Sequence, residues 1–374
     1  MRTKKTRVLE LNFERTWRGG ERQTMYNAEG FRNAGLHVEI LCRKGFPLEQ
    51  KARDAGMKAR SFKNIFGVIF FLMLHGHRYD IFHVQTSHIL TYVVLTRAFH
   101  RGKIVYTRRI DFVPKGRLTL LKYKLCTHVV AISSAIQQIV TNFGVKNVTL
   151  ISSVVEPKPL NKKRAEDLLK DLNLSPDTRI IATTAALVQH KDPLNMVEAI
   201  RHCAESHKDF VFLHFGNGNM MEEVEARVVD YGLQDQYKLM GFYKDVEDFF
   251  SVMQGFTMSS EEEGLGSSVL DAFIYKVPVA STNAGGLKDL VGDGRAYMCE
   301  SKNGQALGNA IDKILRNQAE SDKKVEQAYD YAYTQHNNEY ITAQYLDLLG
   351  ITAINVPADK PATIMGMPVL NHWQ

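Results

Sequence analysis

Met258-Ser-Ser-Glu-Glu-Glu-Gly-Leu-Gly-Ser-Ser-Val-Leu-Asp271 is the stretch on which the fold turns. The apolar residues leading into it, 255–258, read as a short buried strand, and Ser267 onward reads as a helix. Between them lie three consecutive carboxylates and a Gly-Leu-Gly turn, residues 264–266. Glycine lets backbone approach a ligand closely, and a helix N-terminus offers unpaired N–H groups to an anion such as a diphosphate. Glu263 stands just before the turn, where it can accept hydrogen bonds from hydroxyls. Asp271 follows eight residues later, about two helical turns in, on the face of the helix start. Two acids so placed suit a polyhydroxylated ligand; a solvated acidic loop before a capped helix has the same pattern.

Working outward, 179–184, 210–215, 237–240 and 277–280 read as further strands separated by helical stretches. The first half of the chain repeats the scheme, with strands at 7–11, 37–42, 80–84, 103–107, 128–132 and 148–151 and helices at 20–34, 87–99 and 133–143. Such β-α-β-α alternation specifies mainly parallel sheets covered by helices. The segment 156–164, with two prolines and a basic run, is the linker candidate. Two doubly wound α/β domains are expected, residues 1–157 and 160–329, with ligands in the cleft beyond the carboxyl ends of their strands. Residues 326–349 read as helical and 351–374 as an irregular tail.

At 374 residues, 44% hydrophobic and 24% charged, the composition is that of a globular protein of about two domains. The longest uncharged apolar stretch, 64–74, is about half of the roughly 20 residues that a spanning helix needs. The N-terminus has too short and polar an apolar run for a secretory signal. The four cysteines are scattered, which argues against a zinc site or a disulfide framework and fits a cytoplasmic protein. The net charge of +6 conceals an asymmetry: residues 1–160 hold 27 basic and 10 acidic residues, leaving 20 and 31 for the remainder. The basic half should face something anionic, whether lipid headgroups, a phosphorylated substrate or nucleic acid. Its arginines follow no nucleic-acid reader motif, so no nucleic acid is expected. Residues 63–75, apolar nearly all round, and 115–124, alternating basic and apolar, are candidates for an anionic membrane surface; a core helix at 63–75 is the alternative.

The 258–286 region resembles the signature of the retaining glycosyltransferases of family 4, which have the GT-B fold of two Rossmann-like domains facing a central cleft. Glu263 matches the first glutamate of that signature, Gly264, Leu265 and Gly266 its turn, and Asp271-Ala272 its Glu-Ala pair. Pro278-Val279 matches the following strand and Gly285-Gly286 a glycine pair. The resemblance covers about residues 6–349. It implies a sugar transferred from a nucleotide-sugar donor to a glycan or lipid-linked acceptor, with retention, in cell-surface polysaccharide or lipopolysaccharide synthesis. It also implies that Glu263 contacts the donor sugar and Asp271 the ribose, with Ser267 at the helix start near the diphosphate. Gly19 and Gly20 resemble the N-terminal glycine loop, Gly216 and Gly218 a second Gly-x-Gly turn, and Tyr243 lies in the loop whose backbone contacts the base. A closing helix within about 330–374 would return to the N-terminal, acceptor-side domain.

Two departures stand out. Where the family commonly has Arg-Leu-x-x-x-Lys, this chain has Ala186 through Lys191, so Lys191 is left as the main C-domain cation for the phosphates. No histidine follows the fourth or fifth N-domain strand, where many members carry one; Arg108, Arg109 or equally Arg117 can restore positive charge there, and His83, ending a strand, is a candidate to face the cleft, with a structural role as the alternative. No Asp-x-Asp and no His/Cys/Asp cluster has metal spacing, so no metal and no cofactor are expected. A non-catalytic nucleotide-sugar-binding subunit and a sugar-nucleotide epimerase of the same fold are the alternatives. A cytoplasmic location is expected, peripheral to the inner face of the membrane if the acceptor is lipid-linked.

Overall fold

The computed structural model describes residues 5–175 and 177–352. The first half builds a seven-stranded sheet from β1 (Arg7–Leu11), β2 (His37–Arg43), β3 (Lys58–Phe62), β4 (Ile81–Val84), β5 (Lys103–Arg108), β6 (His128–Ala131) and β7 (Val148–Leu150). The second builds a six-stranded sheet from β8 (Arg179–Thr184), β9 (Phe210–Phe215), β10 (Tyr237–Gly241), β11 (Gly255–Met258), β12 (Val279–Thr282) and β13 (Tyr297–Cys299). Their orders are β3-β2-β1-β4-β5-β6-β7 and β10-β9-β8-β11-β12-β13, and the strand pairings are parallel. Each order reverses direction beside its first strand, β1 or β8. Ligands of open α/β sheets bind at such switch points.

Alternation along β1 separates two layers. Leu9 and Leu11 pack with Val68, Leu72, Ile89, Val93 and Tyr123, whereas Val8 packs with Tyr26, Phe31 and Tyr345 on the other face. Two strands escape the hydrophobic pattern. β3, an edge strand of sequence Lys-Ala-Arg-Ser-Phe, has no fully buried residue, and β13, an edge of the second sheet, is only three residues long with one buried. The 326–349 helical reading is corrected at its middle. Two helices, Gln318–Gln335 and Asn338–Leu349, are separated where Asn337 caps the second by accepting from the Tyr340 N–H at 2.7 Å. The second helix lies against the Gly19–Asn33 helix, with Asn338 Nδ2 donating to the Tyr26 carbonyl at 2.9 Å. The tail from 353 onward, part of the 330–374 expectation, lies outside the described residues.

Two buried histidines give the fold an acid-sensitive element. His336 sits between the two C-terminal helices with Nδ1 donating to the Ser153 carbonyl at 2.9 Å, and His214 in β9 meets the Tyr237 hydroxyl at 2.7 Å. Burial pushes both down to about 4. Unfolded histidine protonates near 6.5, so between about 6.5 and 4 the unfolded chain binds protons that the folded chain refuses. Stability should therefore fall as pH drops through that window and be unaffected by these groups above it. Thermal melts across pH 4–7 check this: His336→Asn should flatten the curve, and an unchanged slope would assign the acid sensitivity elsewhere.

Candidate functional site

The loops after β8, β11 and β12 build one wall of the cleft. After β8, a 3-10 turn at Gln189–Lys191 is fastened to the acidic loop, because the His190 carbonyl accepts from the N–H groups of Glu261 and Glu262 at 3.0 and 3.2 Å. That brings Lys191 to Glu263, whose carboxylate accepts from its ammonium; both side chains are mostly enclosed. The glycine pair explains why the acid is held there. The Gly286 N–H donates to the Glu263 carbonyl at 2.7 Å, and a Cβ at Gly286 would stand 2.1 Å from the Gly264 oxygen. Any side chain at 286 would push the loop away. Gly266, at φ +94°, then turns the chain into the Ser267–Ile274 helix, and Leu265 anchors the turn in the core.

The opposite wall comes from the first sheet. Gly264 approaches the Arg109 carbonyl so closely that a Cβ there would lie 2.5 Å from it, and Gly19 faces the Ser267 hydroxyl. Gly20, by contrast, has open space on its side-chain side. The starts of the Gly19–Asn33 and Ser267–Ile274 helices therefore face each other. One turn in from Gly19, Arg22 crosses between the sheets, donating to Asp271 Oδ2 at 2.9 Å and to Glu247 Oε1 at 3.3 Å. Burial pushes the Asp271 carboxyl up, with Arg22 opposing it. Burial alone would lower the Arg22 guanidinium, but the Asp271 charge beside it wins and raises it. Among the described residues no hydrogen bond reaches Asp271 Oδ1.

Of the two arginines at the end of β5, Arg108 and Arg109, only Arg109 joins the cleft wall. Its Nε donates to Gln85 and its NH1 to the Ser153 hydroxyl, both at 3.1 Å. Among the described residues it has no carboxylate at ion-pair distance, and burial pushes its guanidinium down. A cation held by neutral partners in an enclosed place is a natural anion contact. Arg108 instead turns behind the sheet to the Tyr123 hydroxyl at 2.7 Å and the Phe112 carbonyl.

The expectation that His83 faces the cleft is corrected. Its ring is completely buried between Glu10 and Thr107, at 2.6 and 2.8 Å, with Phe31 and Tyr345 against it. The side chain on β4 points into the sheet's helix-covered face, where Glu10 needs a hydrogen-bonding neighbour. Gln85 Nε2 donates to the same Glu10, so His83 acts at most through Gln85 on Arg109.

Gly216 and Gly218 owe their identity to packing: a Cβ at either would come within 1.9 Å of the Ala185 or Leu187 carbonyl. They bring β9's end against the loop that carries Lys191. Tyr243 turns its ring onto Phe215 and Phe249, leaving Phe242 exposed beside it. Among the described residues no group of three or more His, Cys, Asp or Glu gathers as metal ligands.

Sequence reasoning passed over Arg22, Glu247, Gln85 and Glu10. Arg22 carried a signal, since a basic residue one helical turn after a glycine loop shares the loop's face. Glu247 carried none, because its partner is 225 residues away.

Comparison with known proteins bears on the family and the fold. The family model described as "Glycosyl transferases group 1" matches residues 165–335, and "Glycosyltransferase Family 4" matches 17–158. The lipopolysaccharide core biosynthesis glycosyltransferase LpsE of Rhizobium meliloti is 24% identical over 179 residues, 48% of this chain and 52% of that protein. The putative teichuronic acid biosynthesis glycosyltransferase TuaC of Bacillus subtilis is 25% identical over 175 residues, 47% of this chain and 43% of that protein. The chain thus aligns with about half the length of these curated relatives. Among solved structures, Anabaena HepE in complex with UDP and glucose superposes with a TM-score of 0.80 at 16% identity, covering 92% of this chain and 99% of that one. That likeness speaks for the two-domain GT-B fold. With one model on each half and the fold shared throughout, the chain belongs to the group 1, family 4 glycosyltransferases.

Proposed function

We propose that the chain transfers a sugar from a nucleoside diphosphate donor to a glycan or lipid-linked acceptor, with retention at the anomeric carbon, in cell-surface polysaccharide or lipopolysaccharide synthesis on the cytoplasmic side of the membrane. The observation that carries this reading is the Lys191–Glu263 pair, held beside a helix N-terminus with Asp271 about one turn into that helix. The UDP and glucose of the HepE structure and the polysaccharide relatives support the donor and pathway class.

In this reading Asp271 Oδ1 accepts from a ribose hydroxyl while Oδ2 stays on Arg22. Glu263 accepts from hydroxyls of the donor sugar. As the bond from the anomeric carbon to the diphosphate breaks, the electron pair leaves with the phosphate oxygen. The new charge is met by Lys191, the first N–H groups of the Ser267–Ile274 helix and Arg109, without a metal ion. The acceptor hydroxyl bonds the same carbon, and its proton passes to the departing phosphate. Enclosure of the site by the two walls keeps water from taking the acceptor's place.

A thermal-shift screen with uridine, guanosine and adenosine diphosphate-sugars should select one base, since a ligand of the native state raises the melting temperature. With that donor and a candidate acceptor, the anomeric proton coupling of the product reports stereochemistry. Retention is expected; inversion would overturn the reading. An altered sugar released without acceptor would identify an epimerase, and binding without any turnover a non-catalytic subunit.

A further inference from the structure

On the face of the first sheet opposite the C-terminal helix, three neighbouring helices run in one layer: Ile65–His75, Ser87–Leu95 and Arg117–Lys124. Their inner sides are ordinary core, with Val68 and Leu72, Ile89 and Val93, and Tyr123 buried against the sheet. Their outer sides are not ordinary surface. Phe66, Phe70 and Leu74 recur every four residues along the first helix and are exposed, Phe66 at 78%. Leu118 and Leu121 on the third helix, with Leu125 just past its end, form a matching stripe, Leu118 at 83% exposure. Large apolar side chains are common on surfaces singly; two stripes on the outer helices of one three-helix layer mark a contact surface. The core-helix reading of 63–75 is thus right for one side of the helix only.

Charge says what covers the surface. Residues 61–130 contain eleven Lys and Arg against only two carboxylates, Asp80 and Asp111. Lys63, Arg97, Arg117 and Lys124 are exposed among and around the stripes. A two-fold contact with a second copy would set this basic surface against itself, because such an interface pairs a patch with the same patch. Apolar side chains ringed by Lys and Arg instead match a bilayer interface, with headgroup phosphates meeting the cations and acyl chains the Phe and Leu. The surface also runs on to the cleft. Phe112 and Val113, in the loop between Arg109 and the third helix, are exposed, and the Phe112 ring stands 6.1 Å from that of His190, next to Lys191. No helix among the described residues is long and apolar enough to cross a membrane, so contact through this face is peripheral.

We propose that this three-helix face docks the protein on an anionic lipid bilayer, with the 110–113 loop at the boundary between bilayer and cleft. The proposal stands on the surface alone and survives if the reaction is not sugar transfer. It is tested by flotation of the full chain with phosphatidylglycerol-containing vesicles, with pure phosphatidylcholine vesicles, and across a salt series. Wild-type protein should bind the anionic vesicles and lose binding as salt screens the headgroups. Phe66→Ser/Phe70→Ser/Leu118→Ser should weaken that binding by at least about tenfold, since each buried CH₂ contributes to partitioning. These side chains are exposed, so the variant's unchanged melting temperature verifies that it folds. No binding at low salt would overturn the proposal. So would equal binding to neutral vesicles, or a triple variant that binds as wild type, which would leave only nonspecific charge adsorption. A dimer in sedimentation velocity that the triple variant abolishes, without vesicle binding, would assign the face to a second copy instead.

Discussion

Glu263→Gln is expected to lower sugar transfer by roughly 10²–10³-fold, the usual cost of removing one well-placed polar group from a reacting centre. Its unfolding midpoint should move little. The side chain ends a loop whose position is set by the Gly286 N–H, the Leu265 anchor and the His190 carbonyl, none of which uses the carboxylate. Glutamine keeps the shape and loses the charge, and this has a second consequence. Lys191 is paired with Glu263, so neutralising the acid frees the ammonium for phosphate. Affinity for free nucleoside diphosphate should hold or rise while turnover collapses. General damage to the loop would lower both together, so the split between the two measurements identifies the role. Transfer within threefold of wild type would remove Glu263 from the site.

Arg22→Ala is expected to destabilise the protein by about 3–5 kcal/mol, the range for removing one partner of a buried ion pair. Among the described residues Arg22 alone bonds both Asp271 and Glu247, Lys158 reaching only Glu247 at 3.7 Å, and its loss leaves Asp271 buried beside a like charge. Since Arg22 belongs to the first sheet's layer and both acids to the second's, the two walls should also separate. Chemical denaturation measures the first effect and the radius of gyration by small-angle scattering the second. Arg22→Lys should recover part of the stability, since a single ammonium cannot span both carboxylates as the guanidinium fork does. A variant as stable and as compact as wild type would show that the bridge contributes nothing.

The sheets were readable because parallel strands buried on both faces are continuous apolar runs, as at Phe210–Phe215. The edges β3 and β13 were not, since one open side lets Lys58, Arg60 and Ser61 occupy a strand. The acidic loop, its glycines and the helix after it were legible as a unit because all their constraints are local. The reason for Gly285 and Gly286 was not, since it lies in the backbone of residues 263 and 264 across a strand and a helix. His83 misled for a related reason. A strand-end histidine can point to either face, and the choice rests with Glu10 on the neighbouring strand, 73 residues away. Arg22 needed both walls in place before its partners existed at all.

The central claim is that the Lys191 ammonium, beside Glu263, receives the donor's diphosphate. Isothermal titration of uridine, guanosine and adenosine diphosphates in turn into wild type and Lys191→Ala measures it directly. A charge-assisted contact contributes about 1.5–3 kcal/mol, so the variant, titrated at a temperature where both proteins are fully folded, should bind the preferred nucleotide roughly 10- to 150-fold more weakly. Equal affinity in the two proteins would place the phosphates elsewhere and contradict the account.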